Sequence, residues 1–537
     1  MVSILPVNAQ RFRRCALPGS PRGGILGRVC SELEAVVSGL SWVYLIAALL
    51  VAVYGGNALL LAALHLRRRA DRPPQAAEPE TWPLVTVQLP VYNELYVVKR
   101  LIDAVARLDY PREKLQVQVL DDSTDETTRL IAARVAYHRA RGLDIELLHR
   151  SDRRGFKAGA LTRGLETARG EFIALFDADF VPPSDFLRRA IPPLTADPQL
   201  AFVQTRWGYL NADYAALTHA QTIALDGHFV VEHLARNRNG LLMNFNGTAG
   251  VWRRAAIEAA GGWQSDTLTE DVDLSFRAQL AGWQALYLPD IECPAELPPQ
   301  VAAFKRQQGR WAAGAAQCLF KLGGELLRGG SASIPWPARL EGLLHLSVWI
   351  AHPMSLVLLL LTLPMLLGQI PLAFNLTIFW LMALGPIFAY AVSQRYLYAD
   401  WKRRMLLHMP VLAMLGIGLA LSNTWAIVRG LAMRDRAFRR TPKFRIERRG
   451  DRWLGRRYTL PFEWITLLEL GLAAYALITV GVALALGNYF AVPFLLVYVG
   501  GYAYIGLHGL RDGLITRLAP RRPRRLGGES RGFSEAT

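Results

Sequence analysis

Three clusters of carboxylates fall where carboxylates can do chemistry. Asp121 and Asp122 end the strand-like run 115–120, and Asp177 and Asp179 end the apolar run 172–176. On a strand tip, two carboxylates with one residue between them can reach one hard divalent cation, whose other oxygen ligands would come from substrate phosphates. Taken alone, Asp-x-Asp is common in turns, and that spacing favours an ordinary loop. In the third cluster, Thr269-Glu270-Asp271 precedes a helical stretch at 272–282. Thr269 would cap that helix and the two acids would complement its dipole. The same position lets Asp271 take a proton from a hydroxyl. Farther on, Gln307, Arg310 and Trp311 close the run 304–311. An indole face stacks on a sugar ring and a guanidinium pairs with a pyrophosphate, although an aromatic and basic belt at a membrane surface would read the same way.

These residues need elements to hold them. From residue 84 the pattern runs strand, turn, helix, strand, with 85–89 and 115–120 as strands and 90–93 as the turn. Such alternation indicates an α/β domain of parallel strands covered on both faces, and ligands sit at the carboxyl ends of such strands. Both aspartate pairs stand at those ends.

An apolar content of 52% beside 20% charged residues in 537 residues implies segregation into a polar block and membrane segments. Residues 42–64 carry no charge, are long enough to cross about 30 Å of hydrocarbon, and lead into Arg67-Arg68-Arg69, which places that end on the cytosolic side. The run starts too far in and is too long for a cleaved signal peptide. The stretches 343–367, 372–392, 464–486 and 489–507 read as four more spans, with Glu469 the one charge inside them. Residues 405–428 are equally apolar, but crossing there would push a strongly basic segment outside, so they read as interfacial or re-entrant helices broken near Gly416 and Gly418. The expected organisation is therefore a basic segment 1–39, a transmembrane helix 40–66, a cytosolic domain 82–325, a hairpin 339–395, interfacial helices 404–433, a basic loop 434–460, a hairpin 461–510 and a basic tail 511–537 that includes Arg521, Arg522, Arg524 and Arg525. The net charge of +17 lies beside apolar stretches, which points to an anionic bilayer surface rather than nucleic acid. Cys15, Cys30, Cys293 and Cys318 have neither zinc nor disulfide spacing. The sequon at Asn246 is discounted on a cytosolic strand, and His228, His233, His345 and His352 have no metal-site spacing.

Taken in order, 88–94 (Gln-Leu-Pro-Val-Tyr-Asn-Glu), 118–125 (Gln-Val-Leu-Asp-Asp-Ser-Thr-Asp), 155–161 (Gly-Phe-Lys-Ala-Gly-Ala-Leu), 245–253, Thr269-Glu270-Asp271 and 307–311 (Gln-Gln-Gly-Arg-Trp) resemble family 2 glycosyltransferases, in particular the cellulose-synthase-like enzymes that make β-glucans and β-mannans. The resemblance implies a nucleotide-sugar transferase domain of the GT-A, Rossmann-like kind beside about five transmembrane helices. It implies that Glu94, Asp121, Asp122, Lys157 and Asp177 bind the nucleotide-sugar and that Asp177 and Asp179 hold Mg2+ or Mn2+. By the same resemblance, Asp271 is the catalytic base, while Gln307, Arg310 and Trp311 bind the pyrophosphate and the acceptor end of the polymer. Residues 438–443 look like a gating loop, with arginine where valine is usual, and would bring Thr441 and Lys443 over the diphosphate. The implied activity is elongation of a β-1,4-linked mannan or glucan from GDP-mannose or UDP-glucose at a bacterial inner, plasma or Golgi membrane. The alternatives are a non-processive enzyme adding one sugar to a lipid carrier, which would not need the tryptophan segment, and a silent membrane scaffold.

Overall fold

The computed structural model describes residues 25–71, 76–328, 334–368, 377–432 and 440–518. The tail arginines, residues 1–24, and Phe438 and Arg439 of the expected gating loop lie outside the described residues.

A seven-stranded sheet forms the polar block, built from β1 (Val85–Val91), β2 (Leu115–Asp121), β3 (Asp144–His149), β4 (Phe172–Leu175), β5 (Leu200–Tyr209), β6 (Gly250–Arg253) and β7 (Gln284–Ala295). Their order is β3-β2-β1-β4-β6-β5-β7. β1 to β4 are parallel, as expected from strand and helix alternation. β6, however, runs antiparallel to both β4 and β5, so the sheet is mixed rather than wholly parallel. Four residues of Gly-Val-Trp-Arg are too short to carry a periodic signal of direction.

β1 shows why these runs form strands buried on both sides. Val85, Val87 and Leu89 enter the main apolar core. On the opposite face, Thr86 and Gln88 are fully buried but bonded across to β2, with Thr86 Oγ1 2.8 Å from Gln116 Oε1 and Gln88 Nε2 3.0 Å from Gln118 Oε1. Buried polar side chains persist only when so partnered. The chain then leaves β1, β2 and β4 at one edge, where Glu94, Asp122, Asp177 and Asp179 emerge.

Among the described residues, five helical segments are long and apolar enough to cross a membrane: Gly39–Arg67, Trp336–Leu367, Trp401–Ala432, Ile465–Ala485 and Val492–Leu518. The number agrees with expectation, but the set differs at two places. The expected span 372–392 begins outside the described residues, and the remainder is broken at Leu384 between helices Thr377–Ala383 and Gly385–Leu397. Its Gly385 presses on the first helix so closely that a Cβ there would lie 1.9 Å from the Gly55 carbonyl oxygen. Residues 401–432, expected to lie at the interface, form helices Trp401–Gly418 and Ala420–Ala432, which meet at Leu419. Together they are long and apolar enough to cross a membrane, and Ala420–Ala432 lies along the Val301–Arg328 helix, with Gln317 Nε2 donating to the Gly430 carbonyl at 3.0 Å.

Candidate active site

Strand ends deliver the acids to one open cleft of about 1210 Å3. Glu94, Asp122, Lys157, Asp177, Asp179, Asp271, Gln307, Arg310, Trp311, Thr441 and Lys443 all line it, although they are spread over some 350 residues of chain. Asp121 does not line it. Its carboxylate is fully buried behind the cleft, accepting from Ser123 N at 3.0 Å and Thr128 Oγ1 at 2.7 Å, with His149 Nδ1 at 2.9 Å. The residue fixes the turn that presents Asp122. Asp122 in turn is gripped by Arg150, whose Nε and Nη2 donate to the two carboxylate oxygens at 2.7 and 2.6 Å.

Lys157 projects from helix Phe156–Thr167, which opens on Gly155 in the left-handed region at φ 75°. Its ammonium donates to Asp177 Oδ1 at 2.6 Å and to the Gly247 carbonyl at 2.8 Å, and lies 3.7 Å from Glu270 Oε1. Burial opposes its charge most strongly, but Asp177, Glu270 and Asp271 outweigh it, and the ammonium is held above its ordinary value. One cation therefore ties the Asp-x-Asp turn to the Thr-Glu-Asp turn.

Asp271 stands in the first turn of helix Glu270–Leu280. Burial first, and the neighbouring Glu270 second, push its carboxyl up to about 7, against the pull of Lys157 and Arg310. A carboxylate so placed is poised to accept a proton near neutral pH. Thr269 occupies the cap position, but its hydroxyl makes no capping hydrogen bond and instead meets Cys318 Sγ at 3.5 Å. The turn is thereby fastened to the Val301–Arg328 helix, which carries Gln307, Arg310 and Trp311 into the cleft.

Residues 440–444 reach across the opposite rim. Arg440 Nη1 lies 2.9 Å from Glu94 Oε1, Lys443 Nζ lies 2.8 Å from Asp179 Oδ2, and Lys443 Nζ also donates to the Glu296 carbonyl at 2.6 Å. Glu296 Oε1 accepts from Phe444 N at 2.8 Å. Burial raises Glu94 to about 8 although Arg440 opposes the shift. Arg440, Glu296, Arg153 and Tyr92 also line the cleft; Tyr92 and Arg440 lie inside the motifs at 88–94 and 438–443, which assign them no role, and Glu296 and Arg153 have no signature in spacing. Arg153 lies over the Tyr92 ring at 3.3 Å from its centroid. Only the folded chain brings the proline-flanked Glu296 opposite a loop some 145 residues later.

No group of three or more metal-ligating side chains gathers among the described residues. Asp177 and Asp179 nevertheless offer hard oxygens at the cleft, and the buried Glu94 Oε2 and Glu296 Oε2 have no hydrogen-bond partner among the described residues. This donor chemistry fits a divalent cation that draws its other ligands from a phosphate.

Residues 83–314 match the family model described as glycosyltransferase like family 2. A probable glucomannan 4-beta-mannosyltransferase 7 of Oryza sativa subsp. japonica is 46% identical over 250 residues, covering 46% of this chain and 43% of the relative. Glucomannan 4-beta-mannosyltransferase 2 of Arabidopsis thaliana is 44% identical over 251 residues, 46% of this chain and 47% of the relative. The chain thus spans about half the length of the curated relatives it matches. A solved mannosyltransferase of Pyrobaculum calidifontis, in complex with GDP-Man and Mn2+, aligns over 72% of this chain and 99% of its own at 24% identity and a TM-score of 0.49.

Proposed function

We propose, from a chain whose residues 83–314 match the model described as glycosyltransferase like family 2, that the protein is a membrane-integrated inverting hexosyltransferase that elongates a β-1,4-linked mannan or glucan. The observation that carries this reading is the meeting of Asp122, Asp177, Asp179 and Asp271 with Lys157 and Arg310 in one cleft beside the apolar helices. Mannosyl transfer is favoured by the similarity to glucomannan 4-beta-mannosyltransferases, with GDP-mannose as the donor to test first.

Each side chain then has a task. Asp271, held near neutral pKa, removes the proton of the acceptor hydroxyl as that oxygen forms a bond to the anomeric carbon. The bond from that carbon to the donor diphosphate breaks in the same step, in line and without a covalent enzyme intermediate, which suits one base carboxylate rather than a nucleophile and acid pair. Lys157, Arg310 and Lys443 stand where negative charge builds on the leaving diphosphate. Held by Asp177 and Asp179, Mg2+ or Mn2+ would add Lewis-acid neutralisation of that charge. Trp311 and Gln307 receive the acceptor sugar from the side facing the membrane helices, and the arginines after the first helix keep the catalytic block cytosolic.

Membranes carrying the protein, supplied with radiolabelled GDP-mannose or UDP-glucose, should build alkali-stable polymer from the first whose linkage analysis gives 4-substituted mannose. Polymer from UDP-glucose alone would reverse the donor assignment. A single sugar on an extractable lipid would replace elongation with lipid charging, and no incorporation from any nucleotide-sugar would refute the transferase reading.

A further inference from the structure

The sequence leaves one acid inside an apolar span, and the fold gives it a specific partner. Glu469 lies in the second turn of helix Ile465–Ala485 and is fully buried. Its two carboxylate oxygens stand 2.8 and 2.9 Å from Lys305 Nζ, whose side chain is 4% exposed. Desolvating both charges costs about as much as their attraction returns, and an apolar pair of similar volume would hold the helices together as well. Stability therefore does not account for the pair. An ionisable residue kept within a membrane helix points instead to function through a named partner.

The surroundings of the pair identify that function. Lys305 sits two residues before Gln307, on the same Val301–Arg328 helix that brings Gln307, Arg310 and Trp311 to the cleft. One turn earlier, Gln300 Nε2 donates to the Leu460 carbonyl at 3.0 Å while Leu460 N donates back to Gln300 Oε1 at 3.1 Å. Arg306 Nη2 lies 3.8 Å from Glu463 Oε1. Three successive contacts thus bind the start of the acceptor-side helix to residues 460–469. Those residues continue from the loop whose Lys443 rests on Asp179. One stretch of chain therefore touches the donor side at Lys443 and the acceptor side at Lys305.

We infer that the Lys305–Glu469 ion pair is a positioning pair, which fixes the height of Gln307, Arg310 and Trp311 over the donor site and so sets acceptor affinity. The inference rests on the transferase reading and adds to it a determinant outside the cleft. A charge pair suits the task because it has one register, whereas two apolar side chains slide past one another at little cost.

The test is steady-state kinetics of purified full chain in lipid nanodiscs, with a manno-oligosaccharide acceptor and with donor hydrolysis followed in the acceptor's absence. Lys305→Met/Glu469→Met, which leaves no unpaired charge, should fold, raise acceptor KM about tenfold or more, and shift donor KM and acceptor-independent hydrolysis, which feel the helix only through Arg310, by no more than about threefold. Lys305→Glu/Glu469→Lys, which restores a pair in the same register, should recover most of that loss. A folded double-methionine variant with wild-type acceptor KM would overturn the inference, as would equal losses in donor and acceptor parameters, which mark a structural role alone. Should the double-methionine variant fail to fold, acceptor KM of the charge-swapped variant decides: within about threefold of wild type supports the pair, and a rise of about tenfold at unchanged donor KM contradicts it. Wild-type protein that transfers no sugar would sink the transferase reading and this inference together, whereas an active wild type with an indifferent pair sinks the pair alone.

Discussion

Gly247 offers a way to move the proposed base without touching it. The residue adopts φ 78°, and a Cβ added there would lie 2.8 Å from Asp271 Oδ2, 3.4 Å from its Cγ and 3.5 Å from Lys157 Nζ. Comfortable contact for a methyl carbon begins near ~3.5 Å, so Gly247→Ala pushes the carboxylate back by roughly half an ångström or more. A general base works within about 2.6 to 3.2 Å of the proton's heavy atom, so that displacement consumes most of the window. The expected loss in kcat is about 10- to 100-fold, or about 1.4 to 2.7 kcal/mol in the barrier. The left-handed backbone adds a stability cost of about 1 to 2 kcal/mol for any L side chain. Gly262→Ala isolates that cost, because Gly262 has φ 71° and nothing within 4 Å of an added Cβ. Initial rates of radiolabelled sugar transfer, read beside thermal unfolding, separate the two. Gly247→Ala should lose activity far beyond Gly262→Ala at similar melting temperature. Equal activity in the two folded variants would refute the close approach of Gly247 to a working base.

Other expectations follow from the same geometry. Since burial and Glu270 raise Asp271 to about 7 and the base acts deprotonated, kcat/KM should rise with pH through a midpoint near that value, and a flat profile over roughly pH 5 to 8 would contradict the assignment. Lys443→Met removes the cation facing Asp179 and should weaken calorimetric binding of the nucleoside diphosphate about tenfold, or about 1.4 kcal/mol; unchanged affinity would remove residues 440–444 from the donor site. Asp121→Ala leaves three partners unsatisfied and should cost about 1 to 3 kcal/mol of stability. Asp122→Ala should instead act mainly on nucleotide affinity, and the reverse pattern would exchange their roles. Chelation should abolish transfer and added Mn2+ or Mg2+ should restore it, so activity that survives exhaustive chelation would argue against a cation at Asp177 and Asp179.

The strand-end acids were legible because a parallel strand and the turn after it are local. The run 115–120 must end at Asp121, and 172–175 must end just before Asp177, whatever else the chain does. Which member of Asp121-Asp122 meets the cleft was not legible. Adjacent side chains on a strand point to opposite faces, and the deciding partners are His149, the last residue of β3, and Arg150 just after it. The direction of β6 was equally hidden in four residues. Loop charge argued that 405–428 stays at the surface, but charge says nothing of the helix laid against it, and the seam at Gly430 and Ala313 is long-range packing of small residues. Glu296 escaped for the same reason, and Arg440 showed only as a departure from a loop pattern, since their partners lie far away in sequence. Glu469 was conspicuous as a lone charge, while Lys305 looked like one more basic residue in a basic segment.

Asp271 is the single proposed base of one converged cleft. The most direct test is Asp271→Asn, with sugar transfer and nucleoside diphosphate binding measured on the same folded preparation. The variant should lose about a thousandfold in kcat with diphosphate affinity retained, because the amide keeps the shape and loses the proton acceptor. Transfer at near wild-type rate by that variant would contradict the assignment of Asp271 as the base.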